Sequence, residues 1–125
     1  MTIRVMLADD HAMVRDALAG ILSAEDDMEL VGIAGDGREA VARALALRPD
    51  VLIIDPPRGG MHPKTVTAVQ RLSPERIVHV SCNPATLARD VRLLCNGGYW
   101  LERLQPLDMF PQTCHVETVV KLVRI

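Results

Sequence analysis

Short apolar runs alternate with stretches whose apolar residues recur every three or four positions, a pattern that predicts β-strands alternating with α-helices. The predicted strands are Ile3–Ala8, Met28–Ala34, Val51–Asp55, Arg76–Ser81, Trp100–Leu107 and His115–Arg124. The predicted helices, one after each of the first four strands, are Val14–Leu22, Ala40–Leu45, Pro63–Leu72 and Ala85–Asn96. This alternation indicates a mostly parallel sheet with helices on both faces, which is a three-layer α/β/α sandwich.

The last strand breaks the alternation. No helical pattern separates Trp100–Leu107 from His115–Arg124, and the turn Phe110–Thr113 lies between them. A parallel crossover needs a dozen or more residues, so we expect the final strand to run antiparallel to its neighbours.

Composition restricts the partners. The chain has 125 residues, 49% of them apolar, so residues 1–125 are expected to form a single globular domain. The net charge of −2, with Lys64 and Lys121 as the lysines, offers no basic field for a polyanion, so no nucleic-acid partner is expected. No apolar run reaches membrane length, and three widely spaced cysteines suit a reducing cytoplasm, so the predicted location is cytoplasmic, away from membranes.

Residues 1–55 carry three motifs in sequence: Ile3–His11, Val31–Gly37 and Arg48–Asp55. Over these residues the chain resembles the receiver domains of bacterial response regulators, of the subfamily that precedes a helix-turn-helix output domain. The resemblance implies a flavodoxin-like fold in which Asp9, Asp10 and Asp55 hold Mg²⁺ and Asp55 accepts a phosphoryl group. It also implies that Ser81 serves as the switch hydroxyl. No output domain is expected.

The chemistry of these carboxylates agrees with the resemblance. The first and third strands of a parallel sheet of this kind end at the same edge, and three carboxylates gathered there require a hard cation such as Mg²⁺. The alternative is that Asp9 and Asp10 only cap the first helix. The family's lysine at the end of strand five is missing, and Lys121 is about 20 Å along the last strand from His115. Pro56 and Pro57 stiffen the next loop, so any Mg²⁺ binding is expected to be weak.

Residues 56–125, together with Asp55, carry a second set of motifs: Asp55–Arg58, Val80–Asp90 and Asp108–Glu117. They resemble the end of the catalytic domain of RNA 5-methyluridine methyltransferases. The resemblance implies that Cys82 is the nucleophile that attacks the uracil ring and that Glu117 is the general base. Cys82 immediately precedes a predicted helix N-terminus, which favours the thiolate. The alternative for Cys82 is an idle thiol, and Cys95 and Cys114 are expected to be ordinary.

The sequence lacks the motif with which these methyltransferases bind their methyl donor. The glycine-rich loop for S-adenosylmethionine should follow the first strand, where Asp9–Ala12 stands instead. We therefore expect no cofactor-binding residues and no required cofactor, with Cys82 and Glu117 as remnants of a site.

Joining the two families predicts a flavodoxin-like and Rossmann-like hybrid with strand order 2-1-3-4-6-5, strand six antiparallel, and a joint within about residues 48–57. The leading hypothesis is an engineered-looking chimeric scaffold that is not an enzyme and has no inherited physiological activity. The alternatives are a residual receiver site at Asp55 and, more remotely, an RNA uridine C5-methyltransferase.

Overall fold

The computed structural model describes residues 2–107 and 117–125. In these residues six strands and four helices follow one another in the predicted order. The strands are β1 (Ile3–Asp9), β2 (Met28–Ala34), β3 (Val51–Asp55), β4 (Arg76–Ser81), β5 (Tyr99–Leu107) and β6 (Glu117–Arg124). The helices are α1 (Ala12–Ser23), α2 (Gly37–Leu47), α3 (Pro63–Leu72) and α4 (Pro84–Asn96). The predicted start of the last strand, at His115, and the turn Phe110–Thr113 lie outside the described residues.

The strands form one sheet in the order β2-β1-β3-β4-β6-β5, with β6 antiparallel to both neighbours and the other pairings parallel. The predicted fold class, strand order and direction of the sixth strand are therefore confirmed. The helices divide between the faces because right-handed crossovers run in opposite directions along the sheet. The crossover from β1 to β2 places α1 on one face, and the later crossovers place α2, α3 and α4 on the other.

The main core lies between the sheet and the face covered by α2, α3 and α4. Alternate residues of the central strands point into it and are buried: Met6, Ala8, Leu52, Ile54, Ile77, Val120 and Leu122. The helices contribute small and branched residues such as Ala44, Val69 and Leu94. On the α1 face, Val5 and Leu7 are buried, whereas no residue of α1 itself is fully buried. In the part of the chain that the structure describes, no helix is long and apolar enough to cross a membrane.

Candidate functional site

The carboxyl ends of β1, β3 and β4 meet at one edge of the sheet, and β6 begins at the same edge. Asp9 and Asp55 are Cα partners across the β1–β3 pair, so their side chains leave the sheet on the same face. That face is the α1 side, because Met6, Ala8, Leu52 and Ile54 alternate with them and point the other way. The register therefore brings the two predicted carboxylates together.

The Asp9–Asp55 pair is electrostatically unfavourable when both groups are charged. The side chain of Asp9 is fully buried; its Oδ1 accepts a hydrogen bond from the His11 amide at 2.8 Å, and its Oδ2 has no partner among the described residues. Burial, the contact with Asp9 and the charges of Asp9 and Glu117 raise the pKa of Asp55 from 3.8 to about 7, against a smaller opposing effect of His11. A protonated Asp55 can donate a hydrogen bond to the Asp9 carboxylate. Either a shared proton or a cation would remove the repulsion between the two carboxylates.

Asp10 lies beside His11 in the turn after β1. The Nδ1 atom of His11 is 3.0 Å from Asp10 Oδ1 and 3.5 Å from Asp9 Oδ1. His11 is the N-cap of α1, but its side chain makes no capping hydrogen bond. Among residues 2–107 and 117–125, Asp9 accepts a hydrogen bond from the His11 amide, and neither Asp9 nor Asp10 accepts one from an amide of α1. The sequence interpretation had not selected His11 as a site residue, although its position directly after two aspartates was the available signal.

Cys82 and Glu117 face each other at the same edge. In the β4–β6 pair the partners run from Arg76 with Val123 to Ser81 with Thr118, and the next position along this register sets Cys82 opposite Glu117. Cys82 is exposed, and it directly precedes Asn83, which caps α4 by accepting a hydrogen bond from the Ala85 amide at 3.0 Å. If the register continues by this one position, both residues belong to the α1 side, as Asp55 does. The charge of Glu117 is among the causes that raise the pKa of Asp55, which agrees with their common edge.

Ser81 takes a different position. It is buried with Ile77 and His79 on the face covered by helices. Its hydroxyl donates to the Asn83 carbonyl at 3.0 Å and accepts from the Asn83 amide at 3.1 Å, which orders the turn into α4. The structure thus does not bring the Ser81 hydroxyl to Asp55, and the switch role stays a prediction.

A clamp of side chains on α4 holds the loop that follows β3. Asn83 Nδ2 and Thr86 Oγ1 donate to the Arg58 carbonyl at 3.3 and 3.0 Å, and Arg89 Nη2 donates to the Gly59 carbonyl at 2.8 Å. Cys82 directly precedes α4, so these bonds fix the segment around Arg58 relative to Cys82.

The clamp ends in a buried contact between His79 and Asp90 that the sequence interpretation missed. Asp90 Oδ2 accepts from the Met61 amide at 2.9 Å and from His79 Nε2 at 3.0 Å, and Arg89 approaches Asp90 Oδ1 at 3.2 Å. Burial acts to raise the pKa of Asp90, but the hydrogen bonds from His79, Met61 and Arg89 outweigh it and lower that pKa. The partners lie on β4, on α4 and in the segment before α3, so neither hydrophobic periodicity nor local spacing signals the contact.

A cavity of about 950 Å³ opens at this edge on the side of α2 and α3. Its walls are apolar, with Ala40, Ala44 and Leu52 among them, because the facing surfaces of α2 and α3 carry small residues. Its mouth includes Asp9 and Asp55. The recess is large enough for a small organic molecule and opens where β1 and β3 end, whereas the side chains of Asp9 and Asp55 leave the sheet on the α1 face.

These features describe a Rossmann-like sandwich with a thiol and a carboxylate opposed at the carboxyl edge of the sheet. The sequence matches the family described as tRNA (Uracil-5-)-methyltransferase over residues 45–125, more than half of the chain. The chain belongs to this family.

Curated relatives agree with that membership. An uncharacterized RNA methyltransferase of Thermotoga maritima is 56% identical over 77 residues, which are 62% of this chain and 18% of the relative. Another, from Bacteroides thetaiotaomicron, is 59% identical over 75 residues, or 60% of this chain and 16% of the relative. The chain thus spans about a fifth or less of these proteins.

Solved structures of two kinds resemble the chain, a methyltransferase and receiver domains. The tRNA (uracil-54, C5)-methyltransferase of Pyrococcus abyssi, in complex with S-adenosyl-L-homocysteine, matches 98% of this chain and 34% of its own, with 31% identity and a TM-score of 0.68. The response regulator domain of Thermotoga maritima CheB matches 78% of this chain and 74% of its own, with 32% identity and a TM-score of 0.62. The receiver domain of NarL from Mycobacterium tuberculosis is 29% identical, with a TM-score of 0.61.

These similarities confirm a methyltransferase segment and structural likeness to receiver domains; the position of a joint and the division into residues 1–55 and 56–125 stay predictions. The family match begins at Leu45, ahead of the predicted joint. The expectation of a scaffold that is not an enzyme and has no inherited activity is wrong, because the matched family and the named relatives are RNA methyltransferases. The expectation gave more weight to the missing glycine-rich loop than to the motifs that contain Cys82 and Glu117.

Proposed function

We propose that this chain carries the uracil-activating part of an RNA uracil-C5 methyltransferase, with Cys82 as the nucleophile and Glu117 as the general base. The observation that carries the proposal is the β4–β6 register, which pairs Ser81 with Thr118 and so supports Cys82 opposite Glu117 at the next position. Cys82 lies immediately before the N-terminus of α4 and is exposed, which leaves it accessible to a uracil base.

The chemistry of these two residues can be written completely. The Cys82 thiolate adds to C6 of uracil, and the electron pair of the C5–C6 double bond moves towards the C4 carbonyl to form an enolate. The enolate takes up a proton from solvent at C5. Glu117 then removes the original C5 proton, and re-formation of the C5–C6 double bond expels the thiolate. The net result is exchange of the C5 hydrogen with water.

The turn after β1 is the place to test the fit of the family's methyl donor, S-adenosylmethionine, which would supply the methyl group for C5. A cofactor carboxylate at this turn needs free backbone amides. Here the His11 amide donates to the carboxylate of Asp9, and Asp10 adds a second negative group. These residues do not fit a bound carboxylate. The chemistry that the described residues support is therefore activation of the uracil ring.

The test is release of tritium from RNA that contains [5-³H]uridine. The unmodified chain should release tritium, Cys82→Ser should lose the activity, and Cys95→Ser should keep it because Cys95 lies in the last turn of α4, away from this edge. Glu117→Gln should lose release while Cys82 remains accessible to a thiol reagent. No release above background by the unmodified chain, or equal release by Cys82→Ser, would contradict the proposal.

Free uridine monophosphate should be assayed beside the RNA. The low net charge led us to expect no nucleic-acid partner, and that expectation stays a prediction. Release from both substrates at similar rates would indicate ring chemistry without an RNA-binding surface. Release from RNA alone would show that the chain recognises the polymer.

A second candidate function is a receiver-type Mg²⁺ and phosphoacceptor site at Asp9, Asp10 and Asp55. The buried Asp9 Oδ2 without a partner and the closeness of Asp55 favour a cation here, since a divalent ion would satisfy both carboxylates. Incubation with acetyl phosphate should add one phosphoryl group to Asp55 only when Mg²⁺ is present. Phosphorylation of Asp55→Asn, or none of the unmodified chain, would contradict this role.

A further inference from the structure

The turn after β1 holds three potential ligand atoms of two chemical kinds. One atom each from Asp9, Asp10 and His11 lies within 4.8 Å of the others. The imidazole Nδ1 of His11 is 3.0 Å from Asp10 Oδ1 and 3.5 Å from Asp9 Oδ1. Ligand atoms bound side by side to a metal at about 2.1 Å are about 3.0–3.4 Å apart, so the two separations from His11 Nδ1 are close to those of a coordination shell.

A second observation shows that the cluster is more than a group of surface acids. Asp9 is 1% exposed, and its Oδ2 atom has no hydrogen-bond partner among residues 2–107 and 117–125. An unpaired carboxylate oxygen in such a position is costly unless a proton or a cation neutralises it. Asp10 and His11 are exposed, so two of the three residues are open to solvent.

We infer that Asp9, Asp10 and His11 form a site for a borderline divalent transition metal, such as Ni²⁺, Co²⁺ or Zn²⁺, in which His11 Nδ1 is a direct ligand. This deepens the second candidate function, since it rests on a cation binding at Asp9. Imidazole nitrogen is a good ligand for these metals, whereas Mg²⁺ binds oxygen and keeps its water. His11 therefore gives the site a preference for these transition metals over Mg²⁺ that aspartates alone would not provide.

The His11 side chain is available for this role. Its ring is 68% exposed and makes no capping hydrogen bond with α1. The simpler alternative is that a protonated His11 only pairs with Asp10. The two differ in one respect, because a metal ligand must be deprotonated and the ion pair requires the proton.

The test uses the untagged full chain and calorimetric titration with NiCl₂, CoCl₂ and MgCl₂ at about pH 7.5. Ni²⁺ and Co²⁺ should bind more tightly than Mg²⁺, and bound Co²⁺ should show visible absorption. His11→Ala should weaken Ni²⁺ binding by at least about tenfold and leave the Mg²⁺ affinity within about twofold. The matched control is His62→Ala, another exposed histidine that precedes a helix, and it should bind both metals like the unmodified chain.

The outcomes separate the inference from the function on which it rests. Unchanged Ni²⁺ binding by His11→Ala, with Mg²⁺ binding intact, would overturn the role of His11 alone. Asp9→Asn should lose both metals. If Asp9→Asn binds both as tightly as the unmodified chain, or if the unmodified chain binds neither, the metal site itself is wrong.

Discussion

Replacing Asp55 by asparagine should stabilise the protein, and the gain should depend on pH. Burial and the carboxylates of Asp9 and Glu117 raise the pKa of Asp55 in the folded chain to about 7, from 3.8. The folded state thus binds this proton more tightly than the unfolded state. By linkage, the free energy of unfolding falls as pH rises from about 4 to about 7 and stays reduced above that. Asparagine keeps the shape of the side chain and removes the charge.

The size of the effect follows from the two pKa values of Asp55. A gap of about 3 between folded and unfolded pKa corresponds to about 4 kcal/mol at high pH. Asp55 retains some contact with solvent, and screening reduces this to about 2 kcal/mol. For a chain of this length such a gain raises Tm by roughly 6–10 °C.

Urea unfolding followed by circular dichroism, with EDTA present, measures this gain. Asp55→Asn should be more stable than the unmodified chain by about 2 kcal/mol at about pH 8. The two should approach equality near pH 4.5. The exposed Asp26 provides a control, since Asp26→Asn should show no such trend. Equal stability of Asp55→Asn and the unmodified chain at pH 8, or a gain of the same size at both pH values, would refute the reasoning.

Three further predictions concern the clamp and the thiols. Asp90→Asn should lower the free energy of unfolding by about 2–3 kcal/mol at neutral pH, measured by urea unfolding, because it weakens buried charged hydrogen bonds. In the unmodified chain the stabilisation by Asp90 should be lost as pH drops below about 4, since the pKa of Asp90 is lowered in the folded state. Gly60→Ala should lower Tm, because φ is +82° and an added Cβ would be 2.6 Å from an arginine nitrogen; Gly59→Ala, with open space, should cost less. With a maleimide, the exposed Cys82 should react faster than the half-buried Cys95; faster labelling of Cys95 would contradict this expectation.

The fold was predictable because its determinants are local. Alternating strand and helix patterns, Pro63 and Pro84 in the first turns of α3 and α4, and a connection too short for a crossover define the elements and the direction of β6. The order of β6 and β5 came from the family resemblance. The actual β5 begins one residue earlier than predicted, at Tyr99.

Site residues could be predicted only where they belong to a sequence motif. Asp9, Asp55, Cys82 and Glu117 belong to recognised motifs, and the structure brings them to one edge. The His79–Asp90 pair was not predictable, because a buried histidine within an apolar strand looks like any core residue and its partner is contributed by another element.

The β4–β6 register has a consequence for recombination and for evolution. Residues 76–124 contain the strand before Cys82, the helix after it and the strand that begins with Glu117, so the proposed nucleophile and base belong to one contiguous piece of chain. Their alignment is enforced at a distance by Ile77 and Leu122, which meet in the core, since a slip of one residue would turn Glu117 to the opposite face. Such a piece can join a foreign sheet without losing the pairing, whereas Asp55, on β3, must be positioned anew by whichever strand becomes its neighbour.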